Sequence, residues 1–399
     1  MTSASTSRDQ RKAQLLQLFQ AGVDAVGGYN ATRRALENKP LSAPLSLVAV
    51  GKAADAMARG ALSVLGSSVT TGLVITKHHH LSDELNSDAR IRCIESSHPV
   101  PDQHSLTAGA ALVDFVASVP EDHTLVFLVS GGASALVEHL EAELTLDDLQ
   151  VATQKLISGG AAIGEINQQR RKLSRIKGGK LAQFIRCQQV LQLLISDVPG
   201  DVLGDIGSGL LIPDAATDMP PTLPVWQRVQ TELVASSPIA QAAVTAAAKS
   251  LALNIVQNTG SLDGDIKEVR DRIALTLANA TPGVYVWGGE PTVVLPESPG
   301  RGGRNQHLAL ALAETASKKG STSILVCGTD GTDGPTNDAG GLVDEATCDA
   351  AAETSLSINA YLEAADAGTA LEKLDQLVTT GPTGTNVMDL CIVIVSAEC

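Results

Sequence analysis

Aromatic side chains are scarce in this sequence: phenylalanine, tryptophan and tyrosine together make up 2% of its 399 residues. Base-stacking platforms for nucleic acid are therefore few. Acidic residues outnumber basic ones, and the formal net charge of −15 at pH 7 repels nucleic acid and anionic membranes over most of the surface. We expect small-molecule partners, no nucleic acid and no membrane. An anionic substrate would require positive charge to be concentrated locally.

Paired cysteines and long apolar runs are missing as well. The six cysteines are scattered without a C-x-x-C pair, which argues against a structural zinc site. No apolar run reaches the ~18 residues that a membrane-spanning helix needs. The N-terminal stretch is polar and lacks the apolar segment of a signal peptide, so we expect the protein to stay in the cytoplasm.

Two common nucleotide-binding fingerprints are also absent. The pairs Gly51-Lys52 and Gly179-Lys180 lack the first glycine and the final hydroxyl of a P-loop. No strand-like run is followed by G-x-G-x-x-G with an acidic residue about 20 positions later. A P-loop enzyme and an ordinary dinucleotide-dependent dehydrogenase are thereby disfavoured.

The sequence does contain a repeated alternation of Val-, Ile- and Leu-rich runs with Ala-rich helical patterns. The strand-like runs cover 45–54, 72–79, 125–134, 190–201, 284–291, 324–334 and 390–396. Near-continuous apolar runs are typical of parallel strands buried on both faces, and the alternation predicts α/β layers. Thr145 and Asp148 form a capping-box pattern that predicts a helix over 145–158.

The length favours two domains, because a single core usually stops growing before 399 residues. A proline-rich polar segment at 211–226 separates the two strand-rich halves. We place the domains at 1–235 and 236–399.

Glycine-rich loops after the predicted strands carry the candidate functional residues of the first half. Ligands of open α/β sheets lie beyond the carboxyl ends of strands. Lys52 follows one strand, and an ammonium there can meet a carboxylate or phosphate. After another strand come Ser130, Gly131, Gly132 and Ser134, where the glycines let an anion approach the backbone. An ordinary turn and a solvated lysine are the alternatives.

A second group of candidates lies between residues 170 and 201. The stretch from Arg170 to Lys180 holds six basic residues and no acidic one, and its Lys177 and Lys180 flank two glycines in a pattern that can bind phosphate. A solvated helix face is the alternative. Asp197 follows a strand and can hold Mg²⁺ or take a proton from a hydroxyl; a turn aspartate is the alternative. His98 binds substrate or lies in an extended loop.

In the second half, arginines and acidic residues stand beside glycines. Arg301 and Arg304 flank Gly302-Gly303, a setting that suits bidentate recognition of phosphate or carboxylate. Glu290 ends a strand-like run. Asp330 belongs to a glycine- and threonine-rich loop that can bind a divalent metal or order a cleft, although its spacing does not match a calcium loop.

Together these segments resemble the glycerate 2-kinase family, whose C-terminal domain is called MOFRL. The resemblance rests on nine motifs that run in order from about residue 48 to 390: VGKAA, SSHPVPD, SGGASAL, IN-x-x-R-x-x-LS-x-IKGG, ISDVPGD, GGEPTV, GRGGRNQ, GTDGTDGP and TGTNVMDL. The last motif often ends in VND, so Met388 departs from it. That departure weakens any ligand role at position 388 but leaves Thr383, Thr385, Asn386 and Asp389 available, and we expect Thr385 and Asn386 to bind substrate.

The resemblance implies transfer of a phosphoryl group from ATP to the 2-hydroxyl of D-glycerate, with a divalent cation such as Mg²⁺. It implies a larger Rossmann-like parallel-sheet N-terminal domain, a smaller α/β C-terminal domain of the MOFRL type and an active site in the interdomain cleft. The positions that match the family's proposed active-site residues are Lys52, Asp197, Glu290 and Arg304.

Three hypotheses follow. In the first, a kinase, Lys52 and Arg304 hold anionic groups, Asp197 activates the hydroxyl or binds magnesium, and Glu290 helps to organise the metal or an amine. The second is an NAD(P)H-dependent hydroxypyruvate reductase, a name that some relatives carry, but the dinucleotide fingerprint is missing. The third is a non-catalytic sensor of small anions. Apolar helix faces would serve a core or a homodimer interface equally well.

Overall fold

The computed structural model describes residues 3–151, 170–214, 217, 219 and 221–397. The chain forms two compact units. One, here called the parallel-sheet unit, comprises Gly27–Ser236 and Gly384–Asn386. The other, the mixed-sheet unit, comprises Met1–Val26, Ser237–Thr383 and Val387–Cys399, and includes the first helix, α1 (Ser3–Val26). The division into domains 1–235 and 236–399 stays a prediction.

Six parallel strands build the sheet of the parallel-sheet unit. They are β1 (Leu45–Val50), β2 (Val69–Lys77), β3 (Ile91–Ser96), β4 (Thr124–Val129), β5 (Gln189–Ile195) and β6 (Val229–Ala235). Their order is β3-β2-β1-β4-β5-β6, and every neighbouring pair is parallel. All residues of β1 and β4 are buried, as the continuous apolar runs predict for strands covered on both faces.

Helices connect these strands. They are α2 (Gly28–Leu36), α3 (Ala54–Leu65), α4 (Asp83–Ser87), α5 (Gln103–Ser118) and α6 (Ala133–Leu136). Asp102 starts α5 with a capping box, since its carboxylate accepts hydrogen bonds from the backbone N–H groups of His104 and Ser105. Val116 of α5 packs with Phe127 of β4 in one hydrophobic core.

The capping-box prediction at Thr145 is confirmed. The Asp148 carboxylate accepts from the Thr145 backbone N–H at 2.8 Å, and the Thr145 hydroxyl accepts from the Asp148 N–H at 3.3 Å. Residues 146–151 are helical. The rest of the predicted helix over 145–158 lies outside the described residues.

The described part of the mixed-sheet unit contains eight strands. They are β7 (Ile255–Ser261), β8 (Gly264–Asp265), β9 (Gly283–Gly289), β10 (Pro291–Thr292), β11 (Thr322–Gly328), β12 (Gly340–Asp344), β13 (Leu377–Val378) and β14 (Asp389–Val395). Six form a sheet in the order β13-β12-β11-β14-β9-β7, in which β7 and β9 are parallel and all other neighbours antiparallel. The strands β8 and β10 form a separate parallel pair.

This sheet corrects one expectation. Continuous apolar runs at 284–291, 324–334 and 390–396 favour parallel strands, yet β9, β11 and β14 pair with one another antiparallel. A continuous apolar run indicates that a strand is buried on both faces, but not in which direction it pairs. Here helices cover both faces of an antiparallel sheet, so the same burial occurs without parallel pairing.

The covering helices of the mixed-sheet unit lie on opposite faces. Besides α1 they are α7 (Ser237–Ser250), α8 (Ile266–Ala278), α9 (Arg304–Ala311), α10 (Ala313–Lys319), α11 (Thr347–Glu353), α12 (Ile358–Glu363) and α13 (Ala367–Lys373). The helices α1 and α7 meet the sheet near Leu390. Its sequence neighbour Cys391 points the other way, into a core with residues of α8, α9 and α10. None of the helices in the described residues is both long and apolar enough to cross a bilayer.

Candidate active site

The first polar cluster lies at the centre of the parallel sheet. Strands β1 and β4 are neighbours, but the strand order runs outward from them in opposite directions. Such a switch point opens a crevice beyond the carboxyl ends of the two strands, where ligands of open α/β sheets bind. Lys52 follows β1, and Ser130 follows β4. The topology thus brings two of the predicted loops side by side.

Hydrogen bonds fix these two loops against each other. The Ser130 N–H donates to the Val50 carbonyl at 3.0 Å, and the Lys52 N–H donates to the Gly131 carbonyl at 2.9 Å. The Ser130 hydroxyl accepts from the Ala53 N–H at 3.0 Å. Ser130 therefore orients the loops, and its hydroxyl keeps its own proton for a further acceptor.

The glycine pair lets side chains from other loops come close. A Cβ placed on Gly131 would lie 1.9 Å from Oδ2 of Asp197, so the carboxylate lies directly over this backbone. A Cβ on Gly132 would lie 3.0 Å from His98 Cδ2 and 3.1 Å from Lys52 Cγ, and its φ of +81° also favours glycine. The pair Gly131–Gly132, here called the glycine floor, thus lies against the side chains of Asp197, His98 and Lys52.

The charge around this floor is positive. The pKa of His98 is lowered to about 4, first by burial and then by the positive charges of Lys52, Lys77, Arg170 and His80. His98 is therefore neutral at pH 7. The positive charge that a strongly acidic chain needs for an anionic substrate is concentrated here.

Ser134 is tied to another turn. Its hydroxyl lies 2.7 Å from that of Ser208. It belongs to α6, which spans only four residues, so this helix contributes only a small dipole to the loop. Anion binding at the loop must rest on side chains and backbone N–H groups.

Lys177 and Lys180 have partners inside the protein. Lys177 is fully buried and its ammonium is bonded to the buried carboxylate of Glu138; burial lowers the pKa of Lys177. Lys180 donates to Glu141 at 3.0 Å and to the carbonyls of Arg171 and Ser174. A phosphate would have to displace these partners, so we interpret both lysines as structural. The acidic partners lie 39 residues away in sequence, which residue spacing cannot reveal.

Thr385 and Asn386 belong to the parallel-sheet unit although they follow the mixed-sheet strands in sequence. The Gly28 N–H donates to the Gly384 carbonyl at 3.1 Å. A Cβ on Gly384 would lie 3.2 Å from Ala56 in the first turn of α3. The segment is therefore packed against the helix that follows Lys52.

The second polar cluster lies in the mixed-sheet unit, around Arg304 at the start of α9. Its Nε donates to Asp389 Oδ2 at 2.6 Å, and its Nη1 lies 2.8 Å from Glu290 Oε1. Antiparallel pairing puts Asp389 opposite Gly289, so Glu290 follows at the same edge of the sheet. Burial acts to lower the pKa of Arg304, but Asp389 and Glu290 outweigh it and keep the guanidinium charged.

Two aspartates of this cluster are more deeply buried than their motifs indicate. The Asp333 carboxylate accepts from the N–H groups of Asn305 at 3.1 Å and Gln306 at 2.7 Å, and thereby caps α9. Burial, with a smaller contribution from Asp389, raises the pKa of Asp333 to about 7 against these hydrogen bonds. Burial also raises the pKa of Asp389. In the sequence, Asp389 stands out because it is the acidic first residue of an otherwise apolar strand, all of which is buried.

Arg301 and Asp330 belong to loops near this cluster, and both bind to other residues of the mixed-sheet unit. Arg301 pairs with Glu372 at 2.6 Å and with Asp338 at 3.1 Å. Asp330 accepts from the backbone N–H and the hydroxyl of Thr332, each at 3.1 Å. Arg301 thus links separate segments of the mixed-sheet unit.

A magnesium ion fits the donor set only if a ligand supplies most of its oxygens. Among the described residues, no group of three or more His, Cys, Asp or Glu side chains could hold a metal ion. Mg²⁺ often takes one or two carboxylates and completes its shell with water and substrate phosphates. Asp197 and Asp330, which belong to different units, each offer one carboxylate of this kind.

The fold and the site together define a two-unit α/β protein. Its open parallel sheet carries a candidate anion site, lined by glycines and positive charge, at the switch point. A profile described as a domain of unknown function (DUF4147) matches residues 14–243, and the MOFRL family matches residues 283–389. The crystal structure of glycerate kinase from Thermotoga maritima superposes with a TM-score of 0.88 at 32% identity, covering 97% of this chain and 100% of that one.

Relatives in sequence agree. The chain is 35% identical to D-glycerate 2-kinase of Thermotoga maritima, over 94% of this chain and 96% of that protein. It is 33% identical to glycerate 2-kinase of Pyrococcus horikoshii, over 88% and 87%. A putative hydroxypyruvate reductase of Agrobacterium vitis is also 33% identical, over 96% and 94%. The chain belongs to the MOFRL-type glycerate 2-kinase family, which confirms the resemblance seen in its motifs.

Proposed function

We propose that this protein transfers the γ-phosphoryl group of ATP to the 2-hydroxyl of D-glycerate and releases 2-phosphoglycerate and ADP. The observation that carries the proposal is the carboxylate of Asp197 over Gly131, next to Lys52, at the switch point of the parallel sheet. The strand order of that sheet is the order of Rossmann domains, which supports a nucleotide or phosphate ligand at this place.

The reaction needs a base, positive charge near the phosphates and correct positioning of the reacting groups. It does not need a covalent nucleophile. The 2-hydroxyl oxygen attacks the γ-phosphorus while the bond to the β,γ-bridging oxygen breaks. Asp197 accepts the hydroxyl proton, and Lys52 offsets negative charge on the phosphoryl oxygens. The Gly131–Gly132 floor lets the reacting groups approach the backbone. Bound Mg²⁺, with Asp197 as its protein ligand, would neutralise phosphate charge.

In the mixed-sheet unit we propose that Arg304 binds an anionic oxygen of the nucleotide. Its Nε and Nη1 are held by Asp389 and Glu290, and a guanidinium has five N–H donors, so donors remain for a ligand. Glu290 fixes the guanidinium. Thr385 and Asn386 supply hydrogen bonds to phosphate. The cytoplasmic location and the homodimer stay predictions.

Hydroxypyruvate reduction is not favoured, although relatives carry that name. A Rossmann dehydrogenase places G-x-G-x-x-G directly after its first strand. Here β1 is followed by Gly51-Lys52-Ala53-Ala54. A lysine therefore stands where the backbone would have to meet a pyrophosphate.

A coupled assay tests the proposal. The protein is incubated with D-glycerate, ATP and MgCl₂, and phosphoenolpyruvate is followed with enolase present and phosphoglycerate mutase omitted. Signal without the mutase is expected, and Asp197→Asn should lower turnover about 10²- to 10⁴-fold. Signal that appears only after the mutase is added would show phosphorylation at the 3-hydroxyl. Consumption of NADH with hydroxypyruvate alone would establish the reductase.

A further inference from the structure

Arg170 carries a positive charge, and none of the roles proposed above involves it. Its Nε is buried and has no hydrogen-bond partner among the described residues. Burial lowers the pKa of Arg170, and the negative charge of Glu138 opposes this only in part, because removing a guanidinium from water is costly. A buried charge of this kind is stabilised when an anion binds to it.

The acidic side chain that acts on Arg170 electrostatically, Glu138, does not neutralise it. Both carboxylate oxygens of Glu138 are engaged elsewhere. Oε2 is bonded to the buried ammonium of Lys177, and Oε1 accepts from the His139 N–H at 2.9 Å. The Lys177–Glu138 pair is self-compensated, so the charge of Arg170 remains in excess.

The chain segment that carries Arg170 is fixed to the segment that follows α6. Ser174 pairs with Leu140 in a β-bridge, and the Glu141 N–H donates to the Leu173 carbonyl at 2.9 Å. Residues 138–141 follow α6, which itself follows Gly132. Arg170 and Lys52 both act on His98 electrostatically, and the His98 ring lies against Gly132. Arg170 is therefore within electrostatic range of the floor.

The geometry points to Arg170 and His98 as the residues that recognise the carboxylate of a small 2-hydroxy acid, the acceptor in the proposed reaction. In glycerate the carboxylate is bonded to the carbon that bears the reacting hydroxyl. If Asp197 holds the 2-hydroxyl of glycerate over Gly131, the glycerate carboxylate lies next to Gly132, on the side that His98 contacts. The planar guanidinium of Arg170 matches a carboxylate with two parallel hydrogen bonds, and neutral His98 donates a further one. This inference rests on the proposed function for the identity of the acid.

The test compares Arg170→Gln with Lys172→Gln, which removes one positive charge from an exposed side chain two residues away. Steady-state kinetics with D-glycerate and with its neutral methyl ester give the preference for a carboxylate. Arg170→Gln should raise the KM for D-glycerate about 10- to 100-fold and leave the KM for ATP unchanged. It should reduce the preference for acid over ester by a similar factor. Lys172→Gln should match the wild type in all three values.

Three results would overturn the inference: an unchanged KM for D-glycerate in Arg170→Gln, an equal loss with acid and ester, or a change confined to the KM for ATP. If Arg170→Gln does not fold, Arg170→Lys keeps the charge without the planar fork and should show the same loss of preference. His98→Asn should raise the KM for D-glycerate about 3- to 10-fold.

Calorimetric titration with D-glycerate alone separates this inference from the proposed function. Binding to the wild type that is lost in Arg170→Gln supports the carboxylate site even if no phosphoryl transfer is found. Phosphoryl transfer by the wild type together with normal D-glycerate binding by Arg170→Gln refutes the site and leaves the kinase intact.

Discussion

At the scale of single residues, the glycine pair at the switch point explains which side chains meet. Gly131 leaves room for the Asp197 carboxylate, and Gly132 leaves room for His98 and Lys52. A residue with a Cβ at either position would push away a group that the proposed chemistry needs. The contribution of the two glycines is therefore the space that they leave for these side chains.

Gly131→Ala should lower turnover strongly, because its Cβ would occupy the place of Asp197 Oδ2. We expect a loss approaching the 10²- to 10⁴-fold effect of removing a general base, with the KM for ATP little changed. Gly204→Ala is the matched control, since the nearest atom to its Cβ would lie 3.8 Å away. Equal, near-normal turnover in both variants would contradict the placement of Asp197.

The basic stretch from Arg170 to Lys180 shows how far the sequence predicts single residues. The sequence identifies an unusual concentration of positive charge in an acidic chain, but not which charges are compensated. Lys177 and Lys180 pair with acidic residues 39 positions earlier, whereas the Arg170 Nε has no hydrogen-bond partner in the part of the chain that the structure describes. Lys52 and Asp197 are predictable because each directly follows an apolar run, and the carboxyl ends of parallel strands share one edge.

At the scale of elements, buried charges hold loops and helix ends in place. The Lys177–Glu138 pair joins the segment before residue 180 to the segment that follows α6. Asp333 caps α9 from a loop that follows β11. Both contacts join segments distant in sequence, so strand and helix patterns alone could not predict them.

Lys177→Met should destabilise the protein by about 3–5 kcal/mol, because it removes the ammonium that compensates the charge of the buried Glu138 carboxylate. Chemical denaturation measures the change. The double variant Glu138→Leu with Lys177→Met should recover most of the loss, since a buried ion pair is often replaceable by apolar residues. A single variant that keeps full stability but loses turnover would instead support phosphate binding by Lys177.

Asp333 should make the free energy of unfolding depend on pH. Its pKa is about 7 in the folded protein against the ordinary aspartate value of 3.8, so the folded state holds the proton more tightly. This contribution to stability is fully present below pH 4 and is lost as the pH rises to about 7. The loss amounts to about 1.4 kcal/mol per pH unit in that window.

The comparison with Asp333→Asn isolates this effect, because most other titrations cancel in the difference. The stability advantage of the wild type over the variant should be largest near pH 4 and shrink as the pH approaches 7. Denaturation curves at several pH values measure it. A difference that is independent of pH would show that Asp333 is ionised throughout.

At the scale of the whole molecule, the sequence predicts the fold class and the family. It does not predict which chain segments belong to which of the two units. Alternating apolar runs and helical patterns predict the α/β layers, and nine ordered motifs predict the family. The antiparallel pairing of β9, β11 and β14 is not predictable, because burial on both faces hides strand direction. Nor is the membership of α1 in the mixed-sheet unit or of Gly384–Asn386 in the parallel-sheet unit, since packing decides both.

The most direct test of the central claim is the phosphorus NMR spectrum of the product formed from D-glycerate and ATP. Phosphorylation of the 2-hydroxyl leaves phosphorus coupled to the single proton on C2, and the proton-coupled signal should be a doublet. Phosphorylation of the 3-hydroxyl couples phosphorus to two protons and would give a triplet, which would contradict the account. So would a spectrum in which ATP remains unconsumed.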